Sequence, residues 1–193
     1  MQPARLELPL FRASTNRIPL WLMQPQFVSP APEITEIHRT APLRMTVPSH
    51  GLPGTWPVWI RGVSAGGSLN REPDREAFYM PHVIDADTLE FNNLDGVDSR
   101  ATGGRITYRI PLDLTGCSGR LLLCGKGEQL ELTTENGGLV VEGLGQMMIV
   151  LTEEQSAAIT WVRGTYELML TMSDGDVIPW LFGDVLVSGG CHG

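Results

Sequence analysis

Lysine, cysteine and histidine are scarce in this sequence of 193 residues, and their scarcity excludes several classes of function. Lys126 is the single lysine among 14 basic residues, which are outnumbered by 22 acidic ones. The resulting net charge of −8 opposes binding along a phosphate backbone, because such binding requires an excess of positive side chains. We therefore expect no nucleic-acid partner.

The cysteines are too few and too irregularly spaced for a metal site or a disulfide framework. They are Cys117, Cys124 and Cys191, and no Cys-x-x-Cys pair or Cys/His cluster accompanies them. We expect free thiols and no bound zinc. Cys191 is expected to be exposed, because it lies in a glycine-rich tail that we predict to be flexible over residues 191–193.

Long apolar segments are also missing. No run approaches the ~20 residues that a helix needs to cross a bilayer. The first residues, Met1-Gln2-Pro3-Ala4-Arg5, do not resemble the apolar core of a signal peptide. We expect that the protein does not insert into a membrane. We also expect that it is synthesised in a reducing cytoplasm.

The composition predicts an all-β protein. Glycine (22 residues) and proline (14 residues) leave few stretches long enough for a helix, whereas a hydrophobic content of 42% suffices for a core. The best helix candidate begins after Thr152, because Thr152 and Gln155 have the spacing of a capping box. We expect that helix to end by about Trp161.

The clearest strand pattern lies near the C-terminus. Residues 166–171 alternate, Ser173-Asp174-Gly175-Asp176 interrupts the pattern, and 177–182 and 184–188 resume it. Asp-Gly favours a hairpin turn, because glycine adopts positive φ without steric cost. The alternation predicts that one set of side chains faces a core beside Leu121 or Leu123, namely Tyr166, Leu168, Leu170 and Val185.

Other segments have weaker strand patterns. An opening pair of strands is predicted within residues 5–23, followed by a proline-rich linker at 24–33. Further strands are predicted at 34–38, 43–47, 58–63, 119–124, 129–133, 139–142 and 146–151.

Side chains capable of catalysis are present but scattered. His82 lies near Asp85, and a His–Asp pair can orient a general base. Residues three apart on a strand point to opposite faces, however, which favours a surface histidine instead. His50 precedes Gly51 and is interpreted as a turn residue. We expect no catalytic residue and no cofactor.

An acidic cluster leaves two alternatives open. Carboxylate oxygens are suitable ligands for calcium, but their spacing here does not match a calcium-binding loop. Solvation of strand ends is the favoured interpretation, and we expect no metal. The cluster consists of Asp85, Asp87, Glu90, Asp95 and Asp98.

Two tryptophans are the candidate contact residues. Trp56 and Trp59 flank Pro57-Val58 and form either an aromatic platform for a sugar ring or partner protein, or part of a small core. With Leu20 and Trp21, they are expected to contribute apolar surface that a partner covers.

Several of these segments together resemble a known family. They are the C-terminal hairpin, Asp113-Leu114-Thr115-Gly116, Arg120-Leu121-Leu122-Leu123, and residues 132–138 and 151–155. They are similar to the small immunoglobulin-like β-sandwich of bacteriophage tail, baseplate and fibre-anchoring proteins, such as the N-terminal domain of the lactococcal phage upper baseplate protein. The resemblance implies an immunoglobulin-like β-sandwich.

A second group of motifs resembles a small β-barrel-like unit that recurs in phage tail and neck proteins. It comprises His50-Gly51-Leu52, Val58-x-Ile60-x-Gly62-Val63, Leu69-Asn70 and residues 83–90. The sandwich pattern is interrupted by this group, and insertions are best tolerated at loop tips. We therefore predict a discontinuous sandwich formed by residues 1–24 and 106–190, with residues 30–105 as an inserted small β module.

The resemblance implies a structural component of a tailed-phage virion, placed in the tail tip, baseplate, neck or fibre anchor. Its partners would be other copies of itself and neighbouring virion proteins in a symmetric assembly, after synthesis in the host cytoplasm. The alternative is a module that binds host-surface carbohydrate through Trp56 and Trp59. An enzyme such as a cell-wall hydrolase is disfavoured, because no acid–base constellation is evident in the sequence.

Overall fold

The computed structural model describes residues 3–189 and is mostly β, with 48% of residues in strands and 3% in a helix. The prediction of an all-β chain with one short helix is confirmed at this level. The strands are β1 (Ala4–Arg5), β2 (Leu8–Phe11), β3 (Asn16–Trp21), β4 (Met23–Phe27), β5 (Glu36–Ile37), β6 (Leu43–Thr46), β7 (Trp59–Arg61), β8 (His82–Val83), β9 (Thr88–Phe91), β10 (Arg105–Thr107), β11 (Arg109–Pro111), β12 (Ser118–Gly125), β13 (Glu128–Thr133), β14 (Leu139–Gly143), β15 (Gln146–Leu151), β16 (Arg163–Thr171) and β17 (Val177–Ser188). The helix of this part of the chain is α1 (Glu153–Ala158).

The described residues divide into two compact units. The first consists of residues 3–22 and 113–189, and the second is Met23–Leu112. The bounds of the second unit differ from those expected for the inserted module, 30–105. The difference arises because β4, in the expected linker, pairs antiparallel with β11, while β10 pairs with β7. These pairings assign both ends of the segment to the second unit.

The larger sheet of the first unit has the strand order β1-β17-β16-β12-β13, and β2 also pairs with β17. β1 and β2 run parallel to β17, and the other neighbours are antiparallel. Gly175 has a φ of 93° in the turn between β16 and β17, which is the conformation that the Asp-Gly pattern predicts. The predicted C-terminal hairpin is therefore confirmed.

The inward face of this sheet forms a core as the alternation predicted. Leu121 lies opposite Leu168, and Leu123 lies opposite Tyr166, in the β12–β16 register. The predicted inward side chains are all buried, with at most 4% of their surface exposed: Tyr166, Leu168, Leu170 and Val185.

The smaller sheet of the first unit has the order β14-β15-β3 and faces the larger sheet. Gly119 on β12 marks a close approach between the two sheets. A Cβ atom at this position would lie 2.9 Å from Leu139 Cδ1 and 3.4 Å from Met147 Cε. Glycine therefore lets the side chains of β14 and β15 pack directly against the β12 backbone.

Helix α1 begins with the predicted capping box. The Thr152 side chain accepts a hydrogen bond from the Gln155 amide at 3.2 Å, and the Gln155 side chain accepts one from the Thr152 amide at 2.9 Å. Ser156 is fully buried and joins the helix to the turn before β3. Its Oγ donates to the Ser14 carbonyl at 2.7 Å and accepts from the Ser14 amide at 3.0 Å.

The second unit contains three small sheets, with orders β5-β6-β9-β8, β10-β7 and β11-β4. None of the sheets in the described range closes into a barrel. Aromatic side chains supply much of the interior. Tyr79 and Phe91 pack edge to face with ring centroids 5.8 Å apart, and Trp59 packs in the same way against Phe27 and Phe78 at 6.2 Å.

We predict that Gly183→Ala destabilises the first unit by about 1–3 kcal/mol, because an overpacked site must displace its neighbours. A Cβ atom at Gly183 would lie 1.9 Å from the Leu6 carbonyl oxygen, between β17 and the N-terminal segment. Chemical denaturation of the full chain measures the effect.

Gly143→Ala is the matched control, since a Cβ atom there meets no atom within 4 Å. Its unfolding free energy should stay within about 0.5 kcal/mol of the parent. Equal stability of the Gly183→Ala variant and the parent would contradict the described docking of Leu6.

Candidate functional site

The two candidate tryptophans are buried in the second unit. Trp56 is 0% exposed and Trp59 is 5% exposed. Their Nε1 groups donate to the carbonyls of Arg109 and Glu76, each at 3.0 Å. Both the rings and their polar atoms are therefore engaged inside the unit, and this contradicts the expectation that the two tryptophans are exposed to a partner. The alternative interpretation, core packing, agrees with the structure.

Leu20 was also expected to be exposed, but only 3% of its surface is accessible. It lies opposite Met147 in the β15–β3 pair. Trp21 is half-buried. Period-2 alternation around Pro19 does not reveal which face of β3 meets the other sheet, and the expectation was wrong for Leu20 for that reason.

His82 does not form the His–Asp pair considered from the sequence. It lies on β8 opposite Glu90 and is exposed. The histidine that meets Asp85 is His50, which is only 2% exposed. Its Nε2 lies 2.9 Å from the Asp85 carbonyl oxygen.

The hydrogen bonds of His50 define a structural role. Nδ1 accepts the Leu52 amide at 3.1 Å, so the ring proton lies on Nε2 and is donated to the Asp85 carbonyl. The Tyr108 hydroxyl donates to the His50 carbonyl at 2.8 Å. With both ring nitrogens engaged by backbone groups, this neutral imidazole holds the turn in place, as the sequence interpretation proposed.

The acidic cluster is used for local hydrogen bonds. Asp85 Oδ1 accepts the Asp87 amide at 2.9 Å, and Asp87 Oδ1 accepts the Ser49 amide at 2.7 Å. The first of these bonds holds the pKa of the Asp85 carboxyl below its ordinary value. Asp95 accepts the amide of Val97.

Glu90 of the same cluster pairs with Arg44, with 2.7 Å between Oε2 and Nε. Asp98 lies in the turn that follows Asp95. Across residues 3–189, no group of three or more His, Cys, Asp or Glu side chains is arranged to hold a metal ion. Asp85, Asp87 and Asp95 accept backbone amides in turns, whereas Glu90 forms its ion pair from within β9.

Cys117 and Cys124 are free and half-buried. Cys117 Sγ lies 3.9 Å from the Met172 sulfur. Cys191 and the predicted flexible tail at 191–193 lie outside the described residues.

Tyr166 is a buried side chain whose hydroxyl has no hydrogen-bond partner among the described residues. Burial raises its pKa to about 12. The hydroxyl is therefore neutral at physiological pH and lies in the core, away from solvent. Because it stays protonated and lies away from solvent, it is unsuited to act as a catalytic base.

A groove of about 870 Å³ opens on the second unit and carries balanced charge. We call it the arginine–glutamate groove. Its charged lining residues are Glu33, Arg61, Arg71, Glu72, Glu76 and Arg105. Ion pairs join Arg61 to Glu72 at 3.3 Å and Arg105 to Glu33 at 2.6 Å.

Arg71 is the most firmly held cation of the groove. Its guanidinium carbon lies 3.7 Å from the centroid of the Tyr79 ring, and Nη1 donates to the Ala77 carbonyl at 2.8 Å. No histidine, cysteine or serine is found among the described residues that line the groove. Its charged lining suits recognition of a partner segment that carries both signs of charge.

Two clusters of exposed apolar side chains stand out on the first unit. Phe11, Phe182 and Leu186 are exposed on the larger sheet, at β2 and β17. Val140, Val141 and Leu144 are exposed at β14 and the turn after it, on the smaller sheet. These two clusters are candidate contact surfaces, because apolar patches on a soluble chain often mark interaction sites.

Comparison of the chain with protein-family models and with curated proteins finds no significant match. No helix in the described residues is long and apolar enough to cross a membrane.

We predict that Tyr166→Phe leaves the free energy of unfolding at neutral pH unchanged or raises it by about 1 kcal/mol, because it removes a buried hydroxyl that lacks a partner. Tyr108→Phe is the matched control. It removes a hydroxyl that donates to the His50 carbonyl and should cost about 1 kcal/mol. Equal effects of the two substitutions would show that the Tyr166 hydroxyl is bonded.

The same tyrosine predicts a pH dependence. The unfolded chain releases the phenol proton near pH ~10, whereas the folded pKa of Tyr166 is about 12. The associated stability is complete below pH ~10 and is lost as the pH rises through about 12. Chemical denaturation across this pH range should show that the unfolding free energy of the parent falls more steeply with pH than that of Tyr166→Phe. Identical slopes for the two proteins would contradict the burial of the hydroxyl.

Proposed function

We propose that this protein is a structural component of a tailed-phage virion, located in the tail tip, baseplate, neck or fibre anchor. In this role it has no catalytic activity and works by contacts with other copies of itself and with neighbouring virion proteins. It is made in the host cytoplasm and then enters the particle. The observation that carries the proposal is the strand order of the first unit, which agrees with the sequence resemblance.

The strand order supports an immunoglobulin-like sandwich. In that fold, the third, sixth and seventh strands form one sheet, the first, second, fourth and fifth form the other, and variable-type domains extend the first sheet beyond the third strand. If β3 is the second strand, then β12, β16 and β17 occupy one sheet, extended by β13, while β3, β14 and β15 occupy the other. The first segment, β1 and β2, differs from that arrangement, because it pairs with the last strand.

The position of the second unit fits a virion part that has acquired an additional contact module. Under this assignment, Met23–Leu112 occupies the connection between the second and third strands of the sandwich. Loops at the ends of such sandwiches commonly carry binding function. The arginine–glutamate groove would then give the inserted module its own contact surface for a neighbouring protein.

A carbohydrate-binding role through Trp56 and Trp59 is not proposed, because both side chains are buried. An enzymatic role is not proposed, since the histidine and carboxylates that the sequence singled out are engaged in turns and an ion pair: His50, Asp85, Asp87, Asp95 and Glu90. The apolar clusters of the first unit and the charged groove of the second favour protein–protein contacts instead.

Mass spectrometry of gradient-purified particles tests the proposal. Peptides of this chain should be present in fixed proportion to the major virion proteins, and a non-structural protein of the same lysate should be depleted as the control. Detection in the lysate but never in particles would overturn the assignment. Turnover of a cell-wall or polysaccharide substrate that disappears on replacement of one carboxylate would overturn it as well.

A further inference from the structure

The outward side of the larger sheet of the first unit carries exposed apolar side chains at β2 and β17. Strand alternation directs Phe182, Asp184 and Leu186 outward from β17, because Val185 and Val187 between and beyond them are buried. Phe182 is 42% exposed and Leu186 is 36% exposed. On β2, the exposed Pro9 lies beside Leu186 in the parallel register. We call the surface formed by Pro9, Arg163, Glu167, Phe182 and Leu186 the outer face.

Arg163 and Glu167 supply opposite charges beside the apolar side chains, in addition to the Arg5–Asp184 ion pair of this face. Arg163 lies opposite Leu186 in the β16–β17 register, and Glu167 lies opposite Phe182. Both charged residues are exposed and outward-facing on β16. They are four residues apart on one strand, or about 13 Å, and therefore do not pair with each other.

Thr165 and Asp184 lie opposite each other, midway between these two rows. We propose that the outer face binds a second copy of this chain, related by a two-fold axis that crosses the strands at the level of Thr165 and Asp184. Such a rotation sets Arg163 of each copy against Glu167 of the other, and Leu186 against Phe182. The contact is isologous and closes after two copies.

Charge complementarity identifies the second copy as the occupant. A partner surface of one sign would attract one of the two charged rows and repel the other, whereas an inverted copy of the same face satisfies both. Asp184 meets its own counterpart near the axis, where like charges would repel. Its carboxylate is already paired with Arg5, with 2.6 Å between Oδ2 and Nη2, which reduces that repulsion.

The inference rests on the proposed function, because it names the face by which copies of a virion component would meet. The proposed function and the proposed dimer can be refuted separately, however. A chain that dimerises in solution but is absent from purified particles refutes only the virion assignment. A chain that is present in particles, but whose self-association does not depend on the outer face, refutes only the dimer.

Sedimentation velocity of the purified full-length chain over a range of concentrations tests the dimer. Arg163→Glu and Glu167→Arg should each raise the dissociation constant at least about tenfold, because each places two like-charged pairs across the interface. An equimolar mixture of the two variants should restore the dimer, since an acidic face then meets a basic one. The double variant R163E/E167R should dimerise like the parent.

Substitution of the apolar side chains provides a second test of the dimer. Phe182→Ser should also weaken the dimer, whereas Val141→Lys, on the open edge of the smaller sheet, should leave it unchanged. Thermal unfolding checks that each variant is folded, and little change is expected because these positions are exposed.

A parent chain that stays monomeric throughout would overturn the inference. So would single charge variants that dimerise like the parent, or a mixture of the two that stays monomeric. If Val141→Lys disrupted the dimer and Phe182→Ser did not, the contact would lie at the edge of the smaller sheet. That result would refute dimerisation through the outer face.

Discussion

Pairing of β4 with β11 is the constraint on which the organisation of the chain depends. Met23 and Pro111 are partners in this pair, so the second unit begins and ends on neighbouring strands. A folded segment with adjacent ends replaces a turn at little entropic cost, because loop closure depends on bringing the ends together. The first unit is therefore able to accept an insertion much longer than a normal connection between strands.

The first unit depends in turn on contacts between its most distant segments. β17 pairs with β16 on one side and with β1 and β2 on the other, so both ends of the described chain contribute to one sheet. Gly183 permits this arrangement, since its missing side chain leaves room for the backbone of Leu6. The discontinuous unit is thus held together by strand pairing between its first and last segments.

Local signals in the sequence predicted the elements that local chemistry determines. The alternation in 166–188 and the Asp-Gly turn gave the hairpin and its buried face, and the capping residues Thr152 and Gln155 gave the start of the helix. These features depend on neighbours in sequence, and one chain segment is enough to recognise them.

Non-local pairing was not predictable in the same way. The sequence of β4 contains Pro25 and therefore resembles a linker. It forms a strand only by pairing with Arg109–Pro111, which is distant in the sequence. The burial of Trp56 and Trp59 was unpredictable for the same reason. An aromatic pair beside proline is compatible with a platform or a core, and the partners that bury it come from distant segments. The arginine–glutamate groove joins residues from four separated stretches, and no spacing in the sequence indicates it.

The free edges β13, β3 and β14 support the proposed association through a face over association through an edge. β13 carries Glu128 and Glu131 at one edge, and β3 carries Pro19 at another, both of which discourage pairing with a further strand. β14 exposes Val140 and Val141, but its register with β15 shifts between Val141 and Gly143. Such an irregularity twists an edge and interrupts a regular ladder of hydrogen bonds. The outer face has neither obstacle, because its backbone groups are already paired and its side chains alone would make the contact.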